Sequence, residues 1–168
     1  MTTANSTPNL VTIERIVDAF SQSGVSITAD PTGRVAQGTH DKLELLVVLL
    51  DSVFIVRADS STDTAANSPD ANYYLAANEV NSTLIGARAI VGNKSENLVI
   101  RTEAEVSVAA GMTDEQLGSA SVRAVKAVVD AHNAMAALSE QISQAQAELA
   151  DDADGTCLLY TSDAADDC

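Results

Sequence analysis

Arg101, Glu103 and Glu105 alternate along a segment with the two-residue period of a β-strand, so their side chains share one face. Paired carboxylates can act as general acid and general base. On a solvent-facing strand, however, residues two apart are more often the wet side of a sheet, or the rim of a surface for a charged partner segment. The three residues are therefore a candidate sheet-face contact.

Other motifs fail on spacing. The segment 86–95 ends in Gly-Asn-Lys-Ser, but a P-loop needs its lysine directly after the second glycine, and here Asn93 intervenes. The acidic run 151–155 lacks the ligand positions of a calcium loop. His40 and His132 have no second ligand at metal-binding spacing. The sequence therefore predicts no catalytic residue, no metal and no cofactor.

Composition excludes several partner classes. In 168 residues, 24 Asp and Glu face 9 Lys and Arg, a net charge of −15, which argues against nucleic acid and anionic membranes. A hydrophobic content of 46% is enough for one domain with a real core. Residues 1–10 lack the pattern of a secretory signal, and the longest apolar run, Leu45–Leu50, is too short to span a bilayer. We expect a soluble cytoplasmic protein.

The first half of the chain predicts a helix followed by strands. Four apolar residues share one helical face, namely Ile13, Ile16, Val17 and Phe20, with Thr12 as a candidate first residue. The period then changes to two, and the predicted strand segments are 25–29, 34–38, 43–50 and 53–58. The polar stretch 59–70 is predicted to be a solvated connection.

The second half predicts a helix, a hairpin and a long helix. The second helix spans 70 or 71 to about 81, and its buried side is expected near Tyr74, Leu75, Ala77 and Asn78. A hairpin over 84–91 and 97–108 follows. Thr113 and Gln116 form the capping box that begins the last helix.

The last helix carries an apolar stripe spaced by threes and fours. Its members are Val125, Val128, His132, Met135, Leu138 and Ile142, and a seven-residue step continues it to Leu149. Burying one such side chain is worth about 1.5–3 kcal/mol, so the stripe is too costly to leave wet. A small domain cannot usually cover so long a helix. The stripe is therefore predicted to be a partner or dimer interface.

Together these elements predict a single α+β domain in the order α-β-β-β-α-β-β-α, counting three main strands ahead of the second helix. Three segments and the hairpin between the last two resemble the YbjN family of bacterial sensory transduction regulators. The segments are Thr12–Phe20 (TIERIVDAF), Ala76–Ser82 (AANEVNS) and Gly111–Leu117 (GMTDEQL). The resemblance covers roughly residues 9–135.

The resemblance implies an antiparallel sheet with helices packed on one side, like the fold of type III secretion chaperones. It also implies dimerisation, protein binding and no enzymatic activity. The predicted organisation is a disordered 1–8, a YbjN-like domain over 9–138, and a distal helix with an acidic tail over 139–156.

The leading functional hypothesis is a non-catalytic, chaperone-like or regulatory homodimer that binds an unidentified protein. An alternative is a small-ligand-binding or hydrolytic protein that uses the sheet face around Arg101, Glu103 and Glu105. A further alternative is that the acidic surface covers a basic partner peptide. The first is favoured because no catalytic constellation accompanies the long striped helix.

The last segment is predicted to have a different origin from the rest of the chain. Residues 157–167 resemble the translation of a transposase-type sequencing adapter, and residues 157–168 are predicted to be a disordered artefact. Both cysteines, Cys157 and Cys168, lie in it. On this prediction the natural part is expected to end near Thr156 with its true C-terminus unknown, and neither cysteine is expected to supply thiol chemistry.

Overall fold

The structure is a computed structural model that describes residues 7–156. Within this range the elements are α1 (Ile13–Gln22), β1 (Ser26–Ala29), β2 (Val35–His40), β3 (Leu43–Leu49), β4 (Val53–Ala65), α2 (Asn72–Thr83), β5 (Arg88–Gly92), β6 (Asn97–Ser107) and α3 (Asp114–Thr156). The six strands form one antiparallel sheet in the spatial order β1-β2-β3-β4-β6-β5. Most of the predicted N-terminal tail and all of the adapter-like segment lie outside the described residues.

The predicted fold class, an α+β domain with a long C-terminal helix, is confirmed, but the predicted order is one strand short. Four strands precede α2, because β1 and β2 each form a full ladder. Strand β2 lies between β1 and β3 in the sheet, but its polar composition gives no sign of this position in the sequence. Gly38 allows the close approach of β1, since a Cβ there would lie 2.1 Å from the carbonyl oxygen of Ser26.

The predicted connection 59–70 is wrong over its first part. Strand β4 continues to Ala65 because the long strand β6 pairs beside it, with Asp59 opposite Arg101 and Ser61 opposite Val99. Hydrogen bonding to a neighbouring strand, and not apolar content, keeps this stretch extended. This extension places Asp59 on the sheet.

The helices cover one face of the sheet. Helix α1 begins at its predicted cap, where the hydroxyl of Thr12 accepts a hydrogen bond from the Arg15 amide at 3.4 Å. The main core joins α1 and the first half of α3 to alternate sheet residues, among them Ile16, Phe20, Leu45, Val47, Phe54, Val56 and Val128. This arrangement buries every second residue of the central strands and leaves the opposite face without a helix layer among the described residues.

Helix α2 packs against α3 and the β5–β6 edge in a second cluster. It turns its small residues inward, so Ala76, Ala77 and Val80 are buried, while Tyr74 and Leu75 are 44% and 50% exposed. The predicted buried side is correct for Ala77 alone, because the small side chains let α2 lie close to α3.

Helix α3 begins with the predicted capping box. The Thr113 amide donates to Oε1 of Gln116 at 2.9 Å, and the Gln116 amide donates to the Thr113 hydroxyl at 3.1 Å. A hydrogen bond from Asn72 Nδ2 to Ser143 Oγ, 2.8 Å, ties α2 to α3 near the end of the packed part. The thirteen residues after Ser143 continue for about 20 Å at the rise of an α-helix. No helix of the described chain is long and apolar enough to cross a bilayer.

Candidate functional site

The uncovered side of the sheet, which we call the open face, presents the strand residues that alternate with the core. Its apolar half consists of Val35, Leu46, Val48, Val53 and Ile55, and its charged half consists of Glu44, Arg57, Asp59, Arg88, Arg101, Glu103 and Glu105. Ile90 and Val99 lie on the same side of the sheet, beside the charged half. In the apolar half, Val48 lies between Val35 and Ile55 on the neighbouring strands. These apolar side chains are half-buried, so they remain accessible to a partner.

The charged half contains two groups of ion pairs. Arg88 donates from Nε to Glu103 and from Nη2 to Glu105, both at 2.7 Å. Arg101 holds the carboxylate of Asp59 with two hydrogen bonds of 2.9 and 3.0 Å, and Arg57 approaches the same carboxylate at 3.3 Å.

Strand register creates this pairing. Glu103 lies directly opposite both Arg57 and Arg88, and Arg101 lies opposite Asp59. The sequence therefore predicted Arg101, Glu103 and Glu105 on one face, and the structure brings these three together. Sequence reasoning missed the other members. Arg88 could have been found from the register of the predicted β5–β6 hairpin, whereas Asp59 and its neighbour Arg57 required the pairing of β4 with β6.

The ion pairs determine what these groups can do chemically. The hydrogen bond that Arg88 donates to Glu103 raises the pKa of Arg88, and those that Arg101 donates to Asp59 raise the pKa of Arg101, so both guanidinium groups stay charged. Glu103, whose side chain is 11% exposed, already accepts from Arg88. Acid–base work would require breaking these pairs, so the arrangement favours a fixed, rigid surface.

A shallow depression of about 400 Å³ lies where the two halves meet. It is lined by Gln37, Thr39, Glu44, Leu46, Arg57 and Asp59, among others. Nε of Arg57 is buried without a hydrogen-bond partner among the described residues. This is the part of the open face best shaped to receive a side chain or a small ligand.

The predicted stripe of α3 lies mostly inside the chain's own core. Val125 and Val128 are buried in the main cluster, and Met135 is buried in the cluster with α2. His132, Leu138 and Ile142 are half-buried. Leu149, at 70% exposure, lies beyond this packing. The accessible apolar surface of the stripe is thus confined to the distal part of α3.

His132 makes the packing of α3 sensitive to acid. Burial lowers the pKa of its imidazole below the ordinary value of 6.5, and Nδ1 has no hydrogen-bond partner within the described chain. The unfolded chain therefore binds a proton more readily than the folded chain does. As a result, the free energy of unfolding falls as the pH drops below about 6.5.

We expect His132→Gln to flatten the pH dependence of the free energy of unfolding between about pH 7 and pH 5. Urea denaturation of wild type and variant at several pH values measures the difference. Parallel curves would show that the pKa of His132 is the same in the folded and unfolded chain, contradicting the prediction.

No group of three or more His, Cys, Asp or Glu in residues 7–156 is arranged to hold a metal ion. Comparison with known proteins supplies the family. The YbjN family model, described as "Putative bacterial sensory transduction regulator", matches residues 12–137. This chain belongs to the YbjN family. A search of the curated proteins finds no match.

The fold of this YbjN-family chain is also that of a solved relative. The "Crystal structure of YbjN, a putative transcription regulator from E. coli" matches with a TM-score of 0.55 and 14% identity, over 83% of this chain and 97% of that chain. The likeness confirms the α+β domain with one antiparallel sheet and a long C-terminal helix. The family's description favours a regulatory over a catalytic role.

The family-like segments hold the fold together at its joints. In the first, Arg15 donates hydrogen bonds to the carbonyls of Asn9, Leu10 and Met112 and to the carboxylate of Asp114. In the second, the Asn81 side chain bonds the backbone of β5. These contacts give the YbjN motifs a structural role.

Proposed function

We propose that this YbjN-family chain is a non-catalytic protein-interaction domain with a regulatory or chaperone-like role. It acts in the cytoplasm as a homodimer that binds another protein. The observation that carries this proposal is the open face, where Leu46, Val48 and Ile55 stay half-exposed beside a rigid set of ion pairs. Accessible apolar side chains bordered by satisfied polar groups are typical of protein-binding surfaces.

The charged half supports binding over catalysis. Its carboxylates already accept hydrogen bonds from arginines of the same sheet, so they are held in place as a rim. The family's description as a regulator agrees with this reading.

A second candidate is a small-ligand-binding or hydrolytic protein, and the depression of about 400 Å³ beside Arg57 and Asp59 favours it. If it holds, alanine at Arg101, Glu103 or Glu105 abolishes ligand binding or turnover. If the face binds protein, these variants leave small-molecule binding unchanged.

The proposal is tested by capture from the native cell after chemical cross-linking, with mass spectrometry of the recovered proteins. We expect one protein to be enriched over an unrelated acidic bait of similar size and charge, and to rebind in purified form with a measurable Kd. Rebinding that weakens as salt is raised would indicate a basic partner. Recovery of the same proteins on both baits would contradict a specific interaction.

A further inference from the structure

The open face has a shape and a charge balance that suit one occupant. We propose that it docks a second copy of this chain, face to face, across a two-fold axis through the apolar half. The inference rests on the proposed homodimer and names the surface that forms it. It also differs from the interface predicted from the sequence, which included Val125, Val128 and Met135, because the chain buries these three residues in its own core.

Charge is the first argument for a second copy. Each chain carries −15, so two copies repel one another over most of their surface. The open face is different, because it has three arginines against four carboxylates, namely Glu44, Asp59, Glu103 and Glu105, whereas the rest of the chain has six bases against twenty acids. Two copies can therefore meet here with little repulsion.

Desolvation is the second argument. Covering an unpaired charge is costly, but Arg88 and Arg101 already donate hydrogen bonds to carboxylates of the same chain. A partner can cover them without having to supply opposite charges of its own. The apolar half meanwhile gains from burial, since its side chains are half-exposed in the single chain.

Symmetry is the third argument. A two-fold axis places the same patch against itself, so an axis through Val48 and Ile55 brings apolar half against apolar half. The charged halves then lie at the rim. Arg88 and Glu105, with side chains 56% and 49% exposed, are the members best placed to pair across that rim.

The area is sufficient. Six strands spaced about 4.8 Å apart, along the seven residues of β3, give a face of roughly 24 by 23 Å in projection. Side-chain relief makes the accessible surface larger than this projection of about 550 Å². Two such faces together bury roughly 1,100 Å² in projection, which exceeds the roughly 1,000 Å² in total that a specific interface needs.

Sedimentation equilibrium of the full chain under reducing conditions tests the proposal. Ile55→Lys places a charge at the centre of the apolar half. Leu46→Glu places a carboxylate directly opposite Arg57 on the neighbouring strand β4. Val122→Lys is the matched control, because Val122 is 47% exposed on α3 in the helix layer. We expect a dimeric wild type and control, and a rise of roughly 30-fold or more in the dimer Kd for both open-face variants.

Circular dichroism and thermal melting of each variant establish that its fold is retained. If wild type and both open-face variants are equally dimeric, the assigned surface is wrong while the homodimer stands. If wild type is monomeric up to 100-micromolar concentration or so, both the surface and the homodimer are overturned, and partner capture alone then decides the remaining function.

Discussion

Replacing Gly111 with alanine is expected to lower the free energy of unfolding by about 3 kcal/mol, with contributions from backbone strain and lost hydrogen bonds. Gly111 adopts φ +73°, a conformation that favours glycine. A Cβ there would lie 2.6 Å from the carbonyl oxygen of Asn9. The clash would separate the bridge in which Asn9 and Met112 exchange hydrogen bonds of 3.1 and 2.9 Å.

Two other glycines provide matched controls. Gly24 also has a positive φ, +82°, but an added Cβ meets nothing within 4 Å, so Gly24→Ala should cost only the strain of about 1–2 kcal/mol. Gly118 lies inside α3 with open space around it, and Gly118→Ala should stabilise the helix by about 0.5–1 kcal/mol. Urea denaturation ranks the three variants. Equal losses at Gly111 and Gly24 would show that contact with Asn9 is unimportant.

Replacing Asn81 with alanine is expected to destabilise the fold by about 2 kcal/mol or more, because it leaves two backbone groups of β5 without partners. Asn81 Nδ2 donates to the Ala89 carbonyl at 2.9 Å, and the Ala89 amide donates to Asn81 Oδ1 at 2.8 Å. Ala89 is 4% exposed, on the edge strand of the sheet. The side-chain amide of Asn81 thus makes the two hydrogen bonds that a further strand beside β5 would make.

Removal of this amide also exposes a strand edge that can pair with another chain. We therefore expect Asn81→Ala to raise light scattering on warming as well as to lower the urea midpoint. Asn78→Ala is the control, since Asn78 is exposed on the same helix. Asn81→Asp keeps the acceptor but loses the donor, and should give an intermediate or equal loss. An Asn81→Ala variant as stable as the Asn78→Ala control would contradict this role.

Local pattern predicted much of the fold. The spacing of Ile13, Ile16 and Phe20 placed α1, and the Thr113–Gln116 capping box placed the start of α3, since both depend on residues within one or two turns. Two strand segments were not predicted correctly from local pattern. The predicted order counted one strand too few before α2, and the second half of β4 was predicted to be a connection. Their polar composition carries little signal, and it is the neighbouring strands that make them extended.

The candidate site divides in the same way. Period two along β6 was enough to put Arg101, Glu103 and Glu105 on one face. It could not show that Asp59 and Arg88 are their partners, because those contacts join residues 42 and 15 positions apart and depend on strand register. Likewise, the stripe on α3 was visible in sequence, but whether the sheet or a second chain covers it is a question of tertiary packing.

The sequence by itself determined the acidity, the alternation of sheet residues and the family-like segments that make the joints of the fold. The absence of a metal or catalytic pattern also came from the sequence alone, and the proposed function as a binding domain began there. Only the tertiary structure decided which apolar surface remains open. Every amphipathic element has an apolar side, and packing selects which of those sides the chain covers itself, leaving Leu46, Val48 and Ile55 accessible while Val125 and Val128 are buried.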